Sequence, residues 1–291
     1  MALSKFEYFA PLSVEEVLEL LEMKGENARV MAGGTDLLLK ISKGELKPGA
    51  VIGLKKIKDL DNISFNKRDG LMIGATALLS DVASHPDMLR EYPSIAYAAS
   101  VTANVQIRNM GTVAGNICNA APSADNAPSL MAMGAEVILR STKRERKLSL
   151  DQFFKGPGLT AIEHGELLTG ILIPPPLPHQ GLSYHHISAR SRVDIAGVCV
   201  SAMVRLNEER CEEVRIVLGA VAPTPMRARK TEELLKRKRL SDELIEKAGI
   251  LASEESKPIS DMRASAEYRK KMVAVLTTRA LVEATERASK H

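Results

Sequence analysis

The chain opens with Phe6–Phe9, a short aromatic run that reads as a strand stopped by Pro11. Ser13 follows as a helix cap, with Glu16 three residues on to complete a capping box. Leu18, Leu20 and Leu21 supply the apolar side of that helix, which ends at Gly25. Ala28–Ala32 returns as an apolar strand and runs directly into Gly33-Gly34-Thr35-Asp36. A helical stretch, Leu37–Ile41, comes next; Gly44, Pro48 and Gly49 then punctuate before a strand at Ala50–Leu54. Residues 1–55 therefore read as a compact α/β unit.

The pattern changes over residues 56–175. Ile63–Asn66 and Leu71–Gly74 read as paired strands across the turn at Lys67–Gly70, and Leu78–Ala83 and Ile95–Val101 as helices. From Ala98 to Ala135 only Arg108 and Asp125 are charged, among many Gly, Ala, Ser and Asn residues, and within it Gln106 to Asp125 reads as a long loop. Glu136–Arg140 and Arg146–Leu148 form a hairpin, and Leu167–Ile173 is a strand ended by Pro174-Pro175-Pro176. That proline run, continued by Pro178, is the clearest linker. The third unit, 176–291, carries antiparallel strands at Ser183–Ser188, Ala196–Leu206 and Val214–Val221. Helices follow at Met226–Lys236, Asp242–Ala252 and Ser265–Glu286.

Composition narrows the function. With 45% hydrophobic and 26% charged residues over 291 positions, the chain is an ordinary globular protein, not a disordered or collagen-like one. Forty basic against 36 acidic residues leave +4, too little for the concentrated basic face of a nucleic-acid binder. Five Tyr, five Phe and no Trp offer no stacking platform for single strands. Cys118, Cys199 and Cys211 are dispersed, implying neither a disulfide framework nor a four-thiolate cluster. No basic-then-apolar leader and no membrane-length apolar run is seen, so the expectation is a cytoplasmic protein without membrane or nucleic-acid partners.

Two segments carry candidate chemistry. A strand, then Gly33-Gly34-Thr35, then a helix start can bind phosphate, because glycines let backbone N–H groups approach an anion and Thr35 adds a hydroxyl. The same glycine pair also reads as a plain turn. Neither G-x-G-x-x-G nor G-x-x-x-x-G-K-[ST] occurs, so the usual NAD and ATP fingerprints are missing. The second segment runs from Gln106 to Asn116 and on through Ser123-Ala124-Asp125. Its small residues suit either a large flat ligand lying against backbone or a tight core crossing. Thr112, Asn116 and Asp125 are its candidate hydrogen-bonding side chains. His185 and His186 are adjacent, so on a strand they point to opposite faces and cannot share a metal. Cys118 reads as a buried small apolar thiol.

Together these segments resemble the FAD-binding (medium) subunit of the molybdenum hydroxylases, the xanthine dehydrogenase and carbon monoxide dehydrogenase type. Ala32-Gly33-Gly34-Thr35-Asp36-Leu37 looks like its first FAD motif. Gln106 through Asn116-Ile117, with Ser123-Ala124-Asp125, looks like the second. Glu166-Leu167-Leu168, Asp194-Ile195-Ala196, Gly219–Pro225 and Arg263–Arg269 extend the likeness through nearly the whole chain. The resemblance implies an α+β protein: a two-subdomain FAD-binding fold of the vanillyl-alcohol-oxidase/PCMH type, then a C-terminal antiparallel sheet flanked by helices. It implies that Arg29, Val30, Met31, Ala32, Gly33, Gly34, Thr35 and Asp36 line the FAD diphosphate. Gly111, Thr112, Val113, Ala114, Gly115 and Asn116 would pass the flavin and diphosphate. Asp125 would hold hydroxyls on the ribityl or diphosphate side, and Leu168 would pack on the ring. It further implies a large subunit with molybdenum–pterin, a small subunit with [2Fe-2S] clusters, and a dimer of heterotrimers.

Two departures stand out. Ala114 replaces the first of two glycines, adding a methyl that could shift the backbone from the cofactor. His186 replaces a lysine, leaving less fixed positive charge near the flavin. These departures lend weight to one alternative, a flavin-free scaffold or assembly subunit that keeps the same fold; a second alternative is a self-contained flavin oxidase of the wider fold superfamily.

Overall fold

The computed structural model describes residues 5–189 and 194–290. It begins with β1 (Glu7–Phe9), α1 (Val14–Lys24), β2 (Ala28–Met31), α2 (Leu37–Ser42) and β3 (Ala50–Gly53). β3 lies between β1 and β2, and both pairings are parallel. Parallel neighbours need crossovers, which α1 and α2 supply. Ser13 caps α1 by accepting from the Glu16 N–H at 3.2 Å. The Glu16 carboxylate reaches back to the Leu12 N–H at 2.8 Å, one residue earlier than a standard capping box. The helix continues to Lys24, and Gly25 closes it at φ +59 by donating to the Leu21 carbonyl. Val17, Leu18 and Leu21 form its buried face; Leu20 is only partly buried.

Next come β4 (Ile63–Asn66), β5 (Gly70–Gly74), α3 (Leu79–Ser84), α4 (Pro86–Glu91), α5 (Pro93–Val101), α6 (Val105–Arg108), α7 (Val113–Asn119) and α8 (Asn126–Ala132). β6 (Glu136–Arg140), β7 (Glu145–Ser149), α9 (Leu150–Phe153), β8 (Phe154–Gly156), β9 (Leu159–Thr160) and β10 (Leu167–Ile173) complete this part. Its main sheet runs β4-β5-β10-β6-β7, antiparallel throughout. The expected long loop over Gln106–Asp125 is a correction: it holds α6 and α7, and α8 follows it directly. Every residue of α8 is buried, so no polar face existed to give helical periodicity. The left-handed residues Ala103 (φ 50) and Ala120 (φ 47) supply sharp turns without glycine.

After the prolines come β11 (Gln180–Ile187), β12 (Val198–Asn207), β13 (Arg210–Gly219), β14 (Met226–Arg227), α10 (Arg229–Leu235), α11 (Asp242–Glu255) and α12 (Ala266–Lys290). The strands form one antiparallel sheet in chain order. The helix expected over Met226–Lys236 is split. Met226–Arg227 pairs with Leu218 and Val217 instead, and α10 starts only at Arg229. Glu232 holds that corner, taking the Ile216 N–H at 2.9 Å and the Arg227 guanidinium at 2.6 Å.

β12 explains how the parts join. Val198, Val200, Ala202 and Val204 belong to the core shared with Val273, Leu276, Ala280 and Ala284 of α12. The alternate positions face the other way: Met203 joins the large core of residues 17–173, and Cys199 packs with Ala98 of α5 and with Tyr184. A strand buried on both faces reads as an unbroken apolar run.

Candidate cofactor cleft

Gly33 follows β2, at the carboxyl edge of the parallel sheet, where ligands of open α/β sheets gather. It meets the second glycine segment directly. A Cβ on Gly33 would stand 2.0 Å from the Met110 carbonyl oxygen and 2.8 Å from Gly111 Cα. Only a residue without a side chain allows that approach. Gly34 adopts φ +73, the left-handed region that glycine enters without strain. Among the described residues, no acceptor takes the N–H groups of Gly33, Gly34 or Thr35. Backbone donors are nearly always paired, so three consecutive open ones are suited to an anion.

The facing segment is held firmly. The Gly111 carbonyl accepts from Leu79 N–H at 2.9 Å, and its N–H donates to Ile107 at 2.6 Å. Thr112, 3% exposed, uses its hydroxyl oxygen to cap α7, accepting from Gly115 N–H at 2.9 Å. Lys40 of α2 donates to Asn119 Oδ1 at the end of α7 at 2.7 Å, a second tie between the two halves of the cleft. Asn126 is fully buried and donates at 3.1 Å both to Thr102 and to Oδ1 of Asn116.

Val113 and Ala114 are buried in the core. The Ala114 methyl, 4% exposed, packs among those core side chains and is part of their cluster. Val30, Met31 and Ala32 are half-buried, and Asp36 is exposed at the start of α2. The exposed Arg29 turns its guanidinium back on its own turn, donating to the carbonyls of Glu26 and Ala28 at 2.7 Å. Leu168 is buried at a register shift in β10, opposite Leu139. Cys118 is half-buried rather than buried, and loss of hydration still pushes its thiol up to about 12.

The third unit reaches Asp125 through β11. Asp125, 8% exposed, accepts from the Tyr184 hydroxyl at 2.6 Å. His186 Nδ1 lies 3.4 Å from the same oxygen but is misaligned for a hydrogen bond. Tyr97 meets the Tyr184 and His186 rings edge-on. Burial first, then the nearby Cys199 and Asp125, push the Tyr184 phenol well above its ordinary range, so it remains a donor. His185 does point the other way, to Glu283 of α12 at 2.8 Å. Sequence reading missed Tyr184, Asn126 and the Lys40–Asn119 tie. The first was accessible: Tyr184 and His186, two apart on a strand, share a face. No cluster of metal-ligating side chains occurs among the described residues, and no helix there is long and apolar enough to cross a membrane.

Open amides beside a side-chain-free contact fit the diphosphate of a dinucleotide, and comparison with known proteins agrees. Residues 4–176 match the family described as the FAD binding domain in molybdopterin dehydrogenase. Residues 183–284 match the CO dehydrogenase flavoprotein C-terminal domain. The chain therefore belongs to the FAD-binding subunits of the molybdenum hydroxylase family, oxidoreductases of the xanthine dehydrogenase type, and its cofactor is FAD. It is 32% identical over 283 residues to the carbon monoxide dehydrogenase medium chain of Afipia carboxidovorans, covering 97% of this chain and 98% of that one. To the glyceraldehyde dehydrogenase medium chain of Sulfolobus acidocaldarius it is 31% identical over 279 residues, covering 96% and 98%. The solved carbon monoxide dehydrogenase from Hydrogenophaga pseudoflava superposes with TM-score 0.94 at 31% identity, covering 99% of both chains. Quinoline 2-oxidoreductase from Pseudomonas putida gives TM-score 0.91 at 29% identity, again covering 99% of both.

Proposed function

We propose that this chain is the electron-transfer subunit of a multi-subunit molybdenum hydroxylase. In this reading a large partner carries molybdenum–pterin, a small partner carries [2Fe-2S] clusters, and the whole is a dimer of heterotrimers. Bound FAD supplies the chemistry of accepting electrons from the clusters and releasing them to an external acceptor. The relatives support it: they are medium chains of dehydrogenases, and the solved Hydrogenophaga enzyme is a form that lacks the Mo-pyranopterin moiety of the molybdenum cofactor. Three free thiols suit a reducing compartment such as the cytoplasm.

The protein's own residues bind, orient and tune. Gly33, Gly34 and Thr35 hold the diphosphate through their open N–H groups, with Arg29 to Ala32 and Asp36 around them. Gly111 to Asn116 form the opposite wall, and Asp125 takes hydroxyls of the ribityl or diphosphate side. Leu168 packs against the ring, and His186 sets the charge beside it. Residues 1–55 and 56–175 serve as the two FAD subdomains, and 176–291 as the third domain. No general acid, base or nucleophile is asked of the chain. The observation that carries this reading is the contact of Gly33 with Met110 and Gly111 beside three unbonded amides.

Purification of the native complex tests it. We expect a larger and a smaller chain to co-elute, with molybdenum, iron and one FAD per copy of this chain, and the flavin absorbance to bleach on adding the complex's substrate. A chain that elutes alone, or a flavin that stays oxidised while substrate is consumed, contradicts the proposal.

A further inference from the structure

We infer that Tyr184 is a positioning residue for the cofactor: its hydroxyl fixes one oxygen of Asp125 so that the other is presented to FAD. The inference deepens the proposed function and rests on Asp125 being a ligand of cofactor hydroxyls. Three observations carry it. Asp125 begins α8 but does not cap it; its side chain makes no bond to the helix it precedes. Its Oδ1 is instead engaged by a residue 59 positions away, in another sheet, at 2.6 Å. Among the described residues, nothing hydrogen-bonds to Oδ2.

Tyr184 is itself immobile. It is 3% exposed on β11, paired in register with Ser201 and packed with Ala98, Ala196 and Cys199. A buried phenol whose ring cannot shift fixes the carboxylate it donates to, and a bond to an ionised acceptor is among the stronger kinds. His186 sits on the same face at 3.4 Å and cannot replace it, because its geometry is wrong for a hydrogen bond. The consequence is that the third domain, through one hydroxyl, contributes to FAD affinity without touching the cofactor.

A double-mutant cycle on the full-length chain, read as the FAD dissociation constant, tests this. Tyr184→Phe removes one oxygen and keeps the ring. It should weaken FAD binding about tenfold, the worth of a hydrogen bond to a charged group. Asp125→Asn should weaken it at least as much, and adding Tyr184→Phe to Asp125→Asn should cost little more. The thermal midpoint of the FAD-free chain separates a packing role: it should fall similarly with Tyr184→Phe in both backgrounds. If Asp125→Asn leaves FAD affinity unchanged, the assignment of Asp125 fails and the inference with it. If Asp125→Asn weakens binding but Tyr184→Phe does not, only the inference fails. Equal losses from Tyr184→Phe in both backgrounds also overturn it. Should the Phe variant not fold, 3-fluorotyrosine at position 184 donates more strongly and should tighten FAD binding; no change would overturn the inference.

Discussion

Two glycines in this molecule sit too close to neighbouring backbone to admit a side chain, and their difference locates the site. A Cβ on Gly249 of α11 would meet Thr278 Oγ1 at 2.5 Å and the Ala274 carbonyl at 2.6 Å, much as one on Gly33 would meet Met110. Gly249 serves only to let α11 lie against α12. Gly33 brings together two loops that leave three donors open between them. Carboxylates show the same contrast. In the third domain they are closed off: Glu232 is held by Ile216 and Arg227, and Glu255 by Lys230 and Thr231. Among the described residues, Asp125 is hydrogen-bonded on Oδ1 and not on Oδ2. Close packing alone marks no site; close packing beside unsatisfied groups does.

The sharpest way to break that contrast is Gly33→Ala. The new methyl must displace the Met110 carbonyl, and overpacking of this kind costs about 1–3 kcal/mol. That strain is relieved by opening the cleft, so FAD affinity should fall about 10- to 100-fold, measured by titrating the full-length chain. Gly249→Ala should do the reverse. Its strain, again about 1–3 kcal/mol, should appear in denaturant unfolding while FAD affinity of the folded chain is unchanged. If both variants lose FAD alike, the distinction between the two glycines is wrong.

His186→Lys refines the picture on the tuning side. A fixed cation near the flavin stabilises its reduced, more negative form. The midpoint potential should rise by on the order of 30 mV, read by redox titration. An unchanged potential would place His186 away from the ring.

The smallest effect expected lies in the third domain, at Asp261. Hydrogen bonds from the Arg263 backbone, joined by the Arg269 guanidinium, lower its carboxyl from 3.8 to about 2. A depressed value means stability that is present above the unfolded value and lost as pH falls from about 4 to about 2. Because Asp261 is partly exposed, Asp261→Asn should cost under about 1 kcal/mol near neutral pH. It should also flatten the acid limb of the stability curve. A steeper acid limb in the variant would contradict the assignment.

Much of this was legible in the sequence, for identifiable reasons. Ser13 with Glu16, the Gly25 stop and the strand at Ala50–Gly53 follow local rules that tertiary contacts did not override. The glycine motif at 33–35 was visible, but its partner at Met110–Gly111 lies too far along the chain for pattern to pair them. Helix α8 was hidden because amphipathic period vanishes when a helix is buried all round, and α6 and α7, at four and seven residues, are too short for a period to show. β14 was absorbed into a false helix because Met226 and Arg227 suit either state, and only pairing to β13 decides. The Thr112 hydroxyl oxygen also caps α7, a second use that leaves its O–H free to donate. Tyr184 went unnoticed because its role depends on a carboxylate 59 positions away, at the head of α8.

Hydrogen exchange of the full-length chain with and without FAD tests the central claim most directly. The amides of Gly33, Gly34 and Thr35 have no acceptor within the described chain, so they should exchange fast alone and slow sharply when FAD is added. Residues 111–116 should gain protection at the same FAD concentration. Protection confined to one of the two segments, or absent from both while flavin is bound, would contradict the account.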